Sequence, residues 1–100
     1  MEINITEGTQ TVITITGRLD AVSAPEFEQA IVLPIISGDM KNVVIDCSAL
    51  EYISSSGLRL FLTLQKTATA KQGVLILKGM KDEIKEIFDM TGFSAIFCFA

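Results

Sequence analysis

Asp46-Cys47-Ser48-Ala49-Leu50-Glu51-Tyr52-Ile53-Ser54-Ser55-Ser56-Gly57-Leu58-Arg59 is the stretch on which the fold turns. It leaves an apolar run rich in β-branched residues, Val43 to Cys47, and enters a helical pattern that extends from Ser54 to about Lys71. The residues from Ser48 to Ser54 read as the loop between them. Val74 to Leu77 repeats the apolar run after Gly73, which closes the helix. Short continuous apolar runs of this kind mark strands covered on both faces. Strand, helix, strand in that order is a parallel unit with a right-handed crossover. In such sheets sites form at the carboxyl ends of the strands, where this stretch lies.

Working outward, Thr11 to Thr16 alternates, with Ile13 and Ile15 on one face and Thr14 and Thr16 on the other. Glu2 to Thr6 is its hairpin partner across Glu7-Gly8-Thr9. Ser23 caps a first helix, with Pro25 in the first turn and Glu26 three residues on, the spacing of a capping box. Phe27, Ala30, Ile31 and Ile35 form its apolar face, and Pro34 kinks it or ends its regular part. A third helix spans Asp82 to Thr91 with Ile84, Ile87 and Phe88 on one side. Gly92 takes the left-handed position that ends it, and Phe93 folds back onto Phe88. Ile96 to Phe99 is the last strand. The order β-β-α-β-α-β-α-β predicts one α/β domain over residues 1–100. Its sheet is mixed and largely parallel, covered by helices, with an antiparallel pair at the start.

Composition narrows the function. The 100 residues are 49% hydrophobic with a net charge of -4, which predicts a folded chain rather than a disordered one. Eight basic residues against 12 acidic ones leave no cationic surplus for nucleic acid. The absence of histidine removes Ser-His and Cys-His nucleophilic pairs and the commonest metal ligand, so neither a catalytic residue nor a metal site is expected. The glycines are scattered at turns and helix ends, with no phosphate-cradling loop, which argues against nucleotide binding and predicts no cofactor. Met1-Glu2-Ile3-Asn4-Ile5 has neither the basic nor the apolar region that export requires. The longest uncharged run, Met90 to Ala100, is far short of the roughly 20 residues that span a bilayer. A cytoplasmic address without membrane insertion is expected. Cys47 and Cys98, each within an apolar run, are then buried free thiols.

Three consecutive serines at the start of the second helix remain. Serine is poor inside helices and favoured at their starts, so one reading is that one serine caps and the others are tolerated. On a helical wheel, Leu58, Phe61 and Leu64 lie in a broad apolar arc, and Ser54 points toward that side as a cap does. Ser55, four residues before Arg59, and Ser56 on the other flank of the polar arc point outward. Exposed hydroxyls at a helix N-terminus tolerate an added phosphate, whose charge would be felt by whatever docks there.

The segment Asp46 to Arg59, preceded by Gly17-Arg18-Leu19-Asp20 and followed by Thr91-Gly92-Phe93, resembles the anti-sigma factor antagonists, whose fold is the STAS domain. The resemblance covers essentially the whole chain. It implies a partner-switching protein. Unphosphorylated, it binds an anti-sigma factor that is also a serine protein kinase; phosphorylated by that kinase on one serine, it is released; a serine phosphatase restores it. The family's acceptor stands two residues before the glycine, which is Ser55 here, with Ser56 as second choice. Ser54 falls where many members carry aspartate. The docking surface implied by the resemblance comprises Asp20, Ser54, Ser55, Ser56, Gly57 and Arg59. Asp20 is equally readable as an Asx cap on the turn leading to Ser23.

Other groups read as structural. Asp46, a lone carboxylate, accepts hydrogen bonds from the residues that follow it, and Cys47 has no basic group close in sequence to stabilise a thiolate. Arg59, Lys66, Lys81 and Lys85 interleave with acids as solvated helix faces. A reading from another class keeps the same fold as an unphosphorylated subunit of a signalling scaffold or a transporter accessory.

Overall fold

The computed structural model describes residues 1–38 and 41–100. Five strands form one sheet in chain order: β1 (Glu2–Thr6), β2 (Thr11–Leu19), β3 (Asn42–Ile53), β4 (Val74–Lys78) and β5 (Cys98–Phe99). β1 runs antiparallel to β2, and the other neighbouring pairs are parallel, the mixed sheet that the element order predicts. Each parallel strand is added on the same side of the last. With right-handed crossovers, every connecting helix then lies on one face.

Burial follows that geometry. Ile13, Ile15, Val43, Ile45, Cys47, Leu75 and Leu77 are buried beneath the helices. Their strand neighbours Thr14, Asp46 and Ile76 are half-buried, and Val74 is 48% exposed. The expectation that the apolar strands are covered on both faces is therefore corrected. Val12, Val44, Ile76 and Cys98 stand side by side in one cross-strand row on the open face, where Val44 is shielded by its neighbours in the row.

The loop expected between Ser48 and Ser54 is also corrected, because β3 continues to Ile53. Thr14 pairs with Asp46 and Thr16 with Ala49, so β3 carries one extra residue there as a bulge. The Asp46 carboxylate closes it, accepting from the Ser48 N–H at 3.0 Å and the Ser48 hydroxyl at 2.7 Å. Those bonds, foremost that from the Ser48 hydroxyl, hold the Asp46 carboxyl below its ordinary value.

The first helical region is α1 (Ala24–Phe27), a π-helical turn (Glu28–Val32) and α2 (Leu33–Ser37). Pro34 has no N–H to continue the regular ladder, and in the turn before it the Leu33 N–H reaches Glu28 O. The predicted kink takes this form, with Phe27, Ile31, Val32 and Ile35 buried. Ser23 makes no capping box. Its backbone is already helical (φ -89°, ψ -14°), and its hydroxyl turns back to donate to Arg18 O at 2.7 Å.

The helix α3 (Ser55–Ala70) buries Leu58, Phe61 and Leu64. The left-handed residue after it is Gln72 (φ 58°), not Gly73. Gly73 answers a steric need instead, since a Cβ there would lie 2.3 Å from Lys41 O. Lys71 Nζ donates to Ile35 O at 2.7 Å and to Gly38 O, satisfying carbonyls at the end of α2. In α4 (Asp82–Met90) Ile84 and Phe88 are buried, and Gly92 has the predicted positive φ of 79°. Phe88 packs against the rings of Phe61, Phe97 and Phe99, and Phe93 packs, half-buried, against the core cluster that includes Phe88. Phe93 begins a 3-10 turn through Ile96, which shortens the expected last strand to Cys98–Phe99.

Both cysteines are free. Cys47 is buried and its thiol is pushed up to about 12, mainly by burial. Cys98 is exposed, against expectation, because it faces the open side of the edge strand.

Candidate functional site

The site forms where β2 and β3 end and α3 begins. The Ser54 N–H donates to Leu19 O at 2.8 Å, which ties the entrance of α3 to the last residue of β2. Ser54 is extended (φ -90°, ψ 173°), and its hydroxyl accepts from the Gly57 N–H at 3.2 Å. That is the capping role the wheel assigned to it. Its carbonyl accepts from the Leu58 N–H at 2.9 Å. The hydroxyl of Ser54 is thus engaged, while Ser55 and Ser56, one and two residues into the helix, are both exposed.

Gly57 is buried directly under these serines. A Cβ built on it would lie 2.6 Å from Leu19 Cγ and 3.0 Å from Ile53 Cγ1. Its missing side chain lets the first turn of α3 press onto the ends of β2 and β3. Arg59 is exposed one turn beyond Ser55.

Asp20 anchors the facing turn. Its Oδ1 accepts from the Val22 N–H at 3.0 Å and the Ser23 N–H at 3.1 Å, the Asx turn that was one of its two readings. The Ser23 hydroxyl accepts in turn from the Asp20 N–H at 3.0 Å. Hydrogen bonding from the Ser23 N–H, ahead of that from Val22 and the charge of Arg18, holds the Asp20 carboxyl below its ordinary value. Arg18 Nε lies 3.7 Å from Asp20 Oδ2, and its guanidinium stands 4.3 Å from the centre of the Tyr52 ring. The turn leaves Val22 90% exposed at its tip, beside the serines' end of the sheet.

Two hollows flank the first turns of α3. One, of about 340 Å³, lies toward α1 and is lined by Ser56, Arg59, Leu60 and Glu28 among others. The second, of about 290 Å³, is lined by Ser55, Leu58, Arg59, Leu62, Thr91 and Phe93. Glu28 and Tyr52 escaped the sequence reading. The parallel pairing of Arg18 with Tyr52 would have disclosed the second, but no local pattern points to Glu28. Among the described residues, no group of three His, Cys, Asp or Glu side chains is placed to hold a metal, and no helix is long and apolar enough to cross a membrane.

A mixed sheet in the order 1-2-3-4-5, with helices on one face and an N-capped serine-rich helix start at the strand ends, is the arrangement of a STAS domain. The STAS domain family matches residues 1–100, and the chain belongs to that family, among the anti-sigma factor antagonists. It is 35% identical to BtrV of Bordetella bronchiseptica over 81 residues, 81% of this chain and 69% of BtrV. It is 32% identical to the anti-sigma-B factor antagonist of Listeria monocytogenes over 85 residues, 84% of this chain and 73% of that protein. Among solved structures it is similar to the anti-sigma factor antagonist SpoIIAA in its unphosphorylated form, with a TM-score of 0.77 at 20% identity, covering 99% of this chain and 87% of SpoIIAA. The phosphorylated form of Bacillus SpoIIAA gives 0.76 at 22% identity, covering 99% of this chain and 91% of that one.

Proposed function

We propose that this chain is a partner-switching regulator rather than an enzyme, acting as one STAS domain over residues 1–100 in the cytoplasm. Unphosphorylated, it binds an anti-sigma factor that is also a serine protein kinase; phosphorylated on Ser55, it is released; a serine phosphatase returns it to the binding form. The observation that carries this is the division of the three serines. Ser54 is consumed as the cap, whereas the Ser55 hydroxyl stands exposed on the first residue of α3. In the transfer, Ser55 Oγ forms a bond to the γ-phosphorus of ATP and the bond between the β and γ groups breaks. ADP leaves with that electron pair, and the serine proton goes to the kinase's base. The docking surface on this reading comprises Ser55, Ser56, Arg59 and the Asp20 turn, with Ser54 and Gly57 setting the position of the helix start. The names of the Listeria and SpoIIAA relatives, and the existence of SpoIIAA in both phosphorylation states, support it.

The test is incubation with the cognate kinase and ATP, followed by mapping of the phosphate by mass spectrometry. Phosphate on Ser55, tight binding by Ser55→Ala that ATP does not reverse, and loss of binding by Ser55→Asp are expected. Phosphate elsewhere, or full binding by Ser55→Asp, overturns the assignment.

A further inference from the structure

Arg59 lines both hollows beside the start of α3. In the hollow that contains Ser55 it is the sole charged side chain, the other five being Ser55, Leu58, Leu62, Thr91 and Phe93. In the hollow toward α1 its charged companion is Glu28. Arg59 is exposed, and among the described residues the ion pair within 4.0 Å joins Arg18 to Asp20, so no carboxylate holds Arg59 in place. It stands four residues after Ser55 on a continuous helix of 16 residues. At that spacing side chains are neighbours on one helix face, with Cβ atoms roughly 5–6 Å apart.

We propose that Arg59 is the intramolecular anchor of a phosphate on Ser55, and that its capture withdraws a cation from the hollow beside Glu28. This rests on the reading of Ser55 as the phosphate acceptor. A phosphoserine brings roughly -1.5 to -2 charge units into a hollow whose only charge is this guanidinium. The planar fork of arginine matches two phosphate oxygens, which the single ammonium of lysine does not. Before modification the free guanidinium is available to both hollows, and the Glu28 side presents balanced charge to a partner. After modification the guanidinium is held on the Ser55 side and Glu28 is left alone in its hollow. One covalent change therefore makes two surfaces more acidic, one on each flank of α3.

The test installs phosphoserine at position 55 during translation, so it needs no kinase, and follows its second ionisation by phosphorus NMR against pH. The expected midpoint lies below that of the same chain in denaturant, which is near about 6. Arg59→Gln should raise it by roughly half a unit, the scale of a screened surface charge pair. Arg59→Lys should recover only part of the depression, and Lys66→Gln none of the rise. An unchanged midpoint in Arg59→Gln overturns the anchor and leaves any depression to the helix backbone. Melting of unmodified Arg59→Gln at the parent temperature shows that the shift is not a loss of structure. Kinase mapping fails or succeeds independently: phosphate on Ser56 would sink the acceptor assignment while the Arg59 titration still stood.

Discussion

Replacing Gly57 by alanine tests the packing on which the site depends. The added methyl would lie 2.6 Å from Leu19 Cγ, 2.9 Å from Leu19 Cδ2 and 3.0 Å from Ile53 Cγ1. Leu19 and Ile53 are 0% and 2% exposed, so neither side chain has free space to retreat into. Overpacking of this kind costs about 1–3 kcal/mol. Alanine recovers up to about 1 kcal/mol of helix propensity, less in a first turn, so a net loss of about 1–2 kcal/mol is expected. Urea denaturation should show a lower midpoint with an unchanged slope, and the melting temperature should fall by about 4–8 °C per kcal/mol. Leu19→Ala alone should cost about 2–5 kcal/mol. In that background the new methyl enters the vacated space and keeps only the 3.0 Å approach to Ile53 Cγ1, so Gly57→Ala should cost much less than in the parent, a coupling of about 1–3 kcal/mol. A Gly57→Ala chain as stable as the parent, or one that loses as much in the Leu19→Ala background, would refute the close approach of α3 to the strand ends.

Three further outcomes are expected. Ser54→Ala should lower stability by about 1 kcal/mol in urea titrations, because the Gly57 N–H loses its acceptor, whereas Ser54→Asp should restore it by keeping an acceptor and adding negative charge at the helix start. At pH 8 the native chain should give one fast equivalent with a thiol reagent, from Cys98, and Cys47, with its pKa near about 12, should react only on unfolding; a second fast equivalent would contradict its burial. Asp20 and Asp46 have carboxyls held below their ordinary value, so their stabilisation is complete above the unfolded-state pKa and is lost as pH falls through the folded one. Asp46→Asn should flatten the decline of the urea midpoint below about pH 4, and an unchanged acid profile would count against its bonds to Ser48.

The fold was legible wherever hydrophobic period and element type agreed. β1 through β4 and the three helical regions follow from apolar runs, alternation and amphipathic spacing, and their order alone gives the parallel sheet. The errors share a physical origin in tertiary contacts that local sequence does not encode. The far half of β3 was hidden because a bulge and outward-facing Ser48, Glu51 and Tyr52 break its apolar pattern. The open face of the sheet was hidden because Val12, Val44 and Ile76 put apolar side chains on it too, so the strands read as continuous apolar runs although only Val44 of that row is buried. Ser23 found a better partner behind it, at Arg18 O, than ahead of it. At the site, the wheel separated the capping serine from the exposed ones correctly, since that depends only on helical period. Glu28 was invisible, because it shares a hollow with Ser56 only through the packing of two separate helical regions.

On the proposed reading, the separation of roles within four consecutive residues would let a modification here change binding and not folding. Ser54 satisfies a backbone donor, and Gly57 sets the distance between helix and sheet; altering either disturbs the core. Ser55 and Ser56 sit between them in sequence but outside them in space, and both are exposed. A phosphate added at Ser55 displaces no core atom, and the partial positive charge of the helix start favours it. Its free-energy consequence is therefore exported to the surface. There, on the proposed reading, it would meet Arg59, which no carboxylate among the described residues engages within 4.0 Å, and any partner shaped for the unmodified face. A helix start held by the Ser54 cap and the close approach at Gly57 would aid that transmission, because a charge fixed in position repels a docked group more strongly than one that swings away.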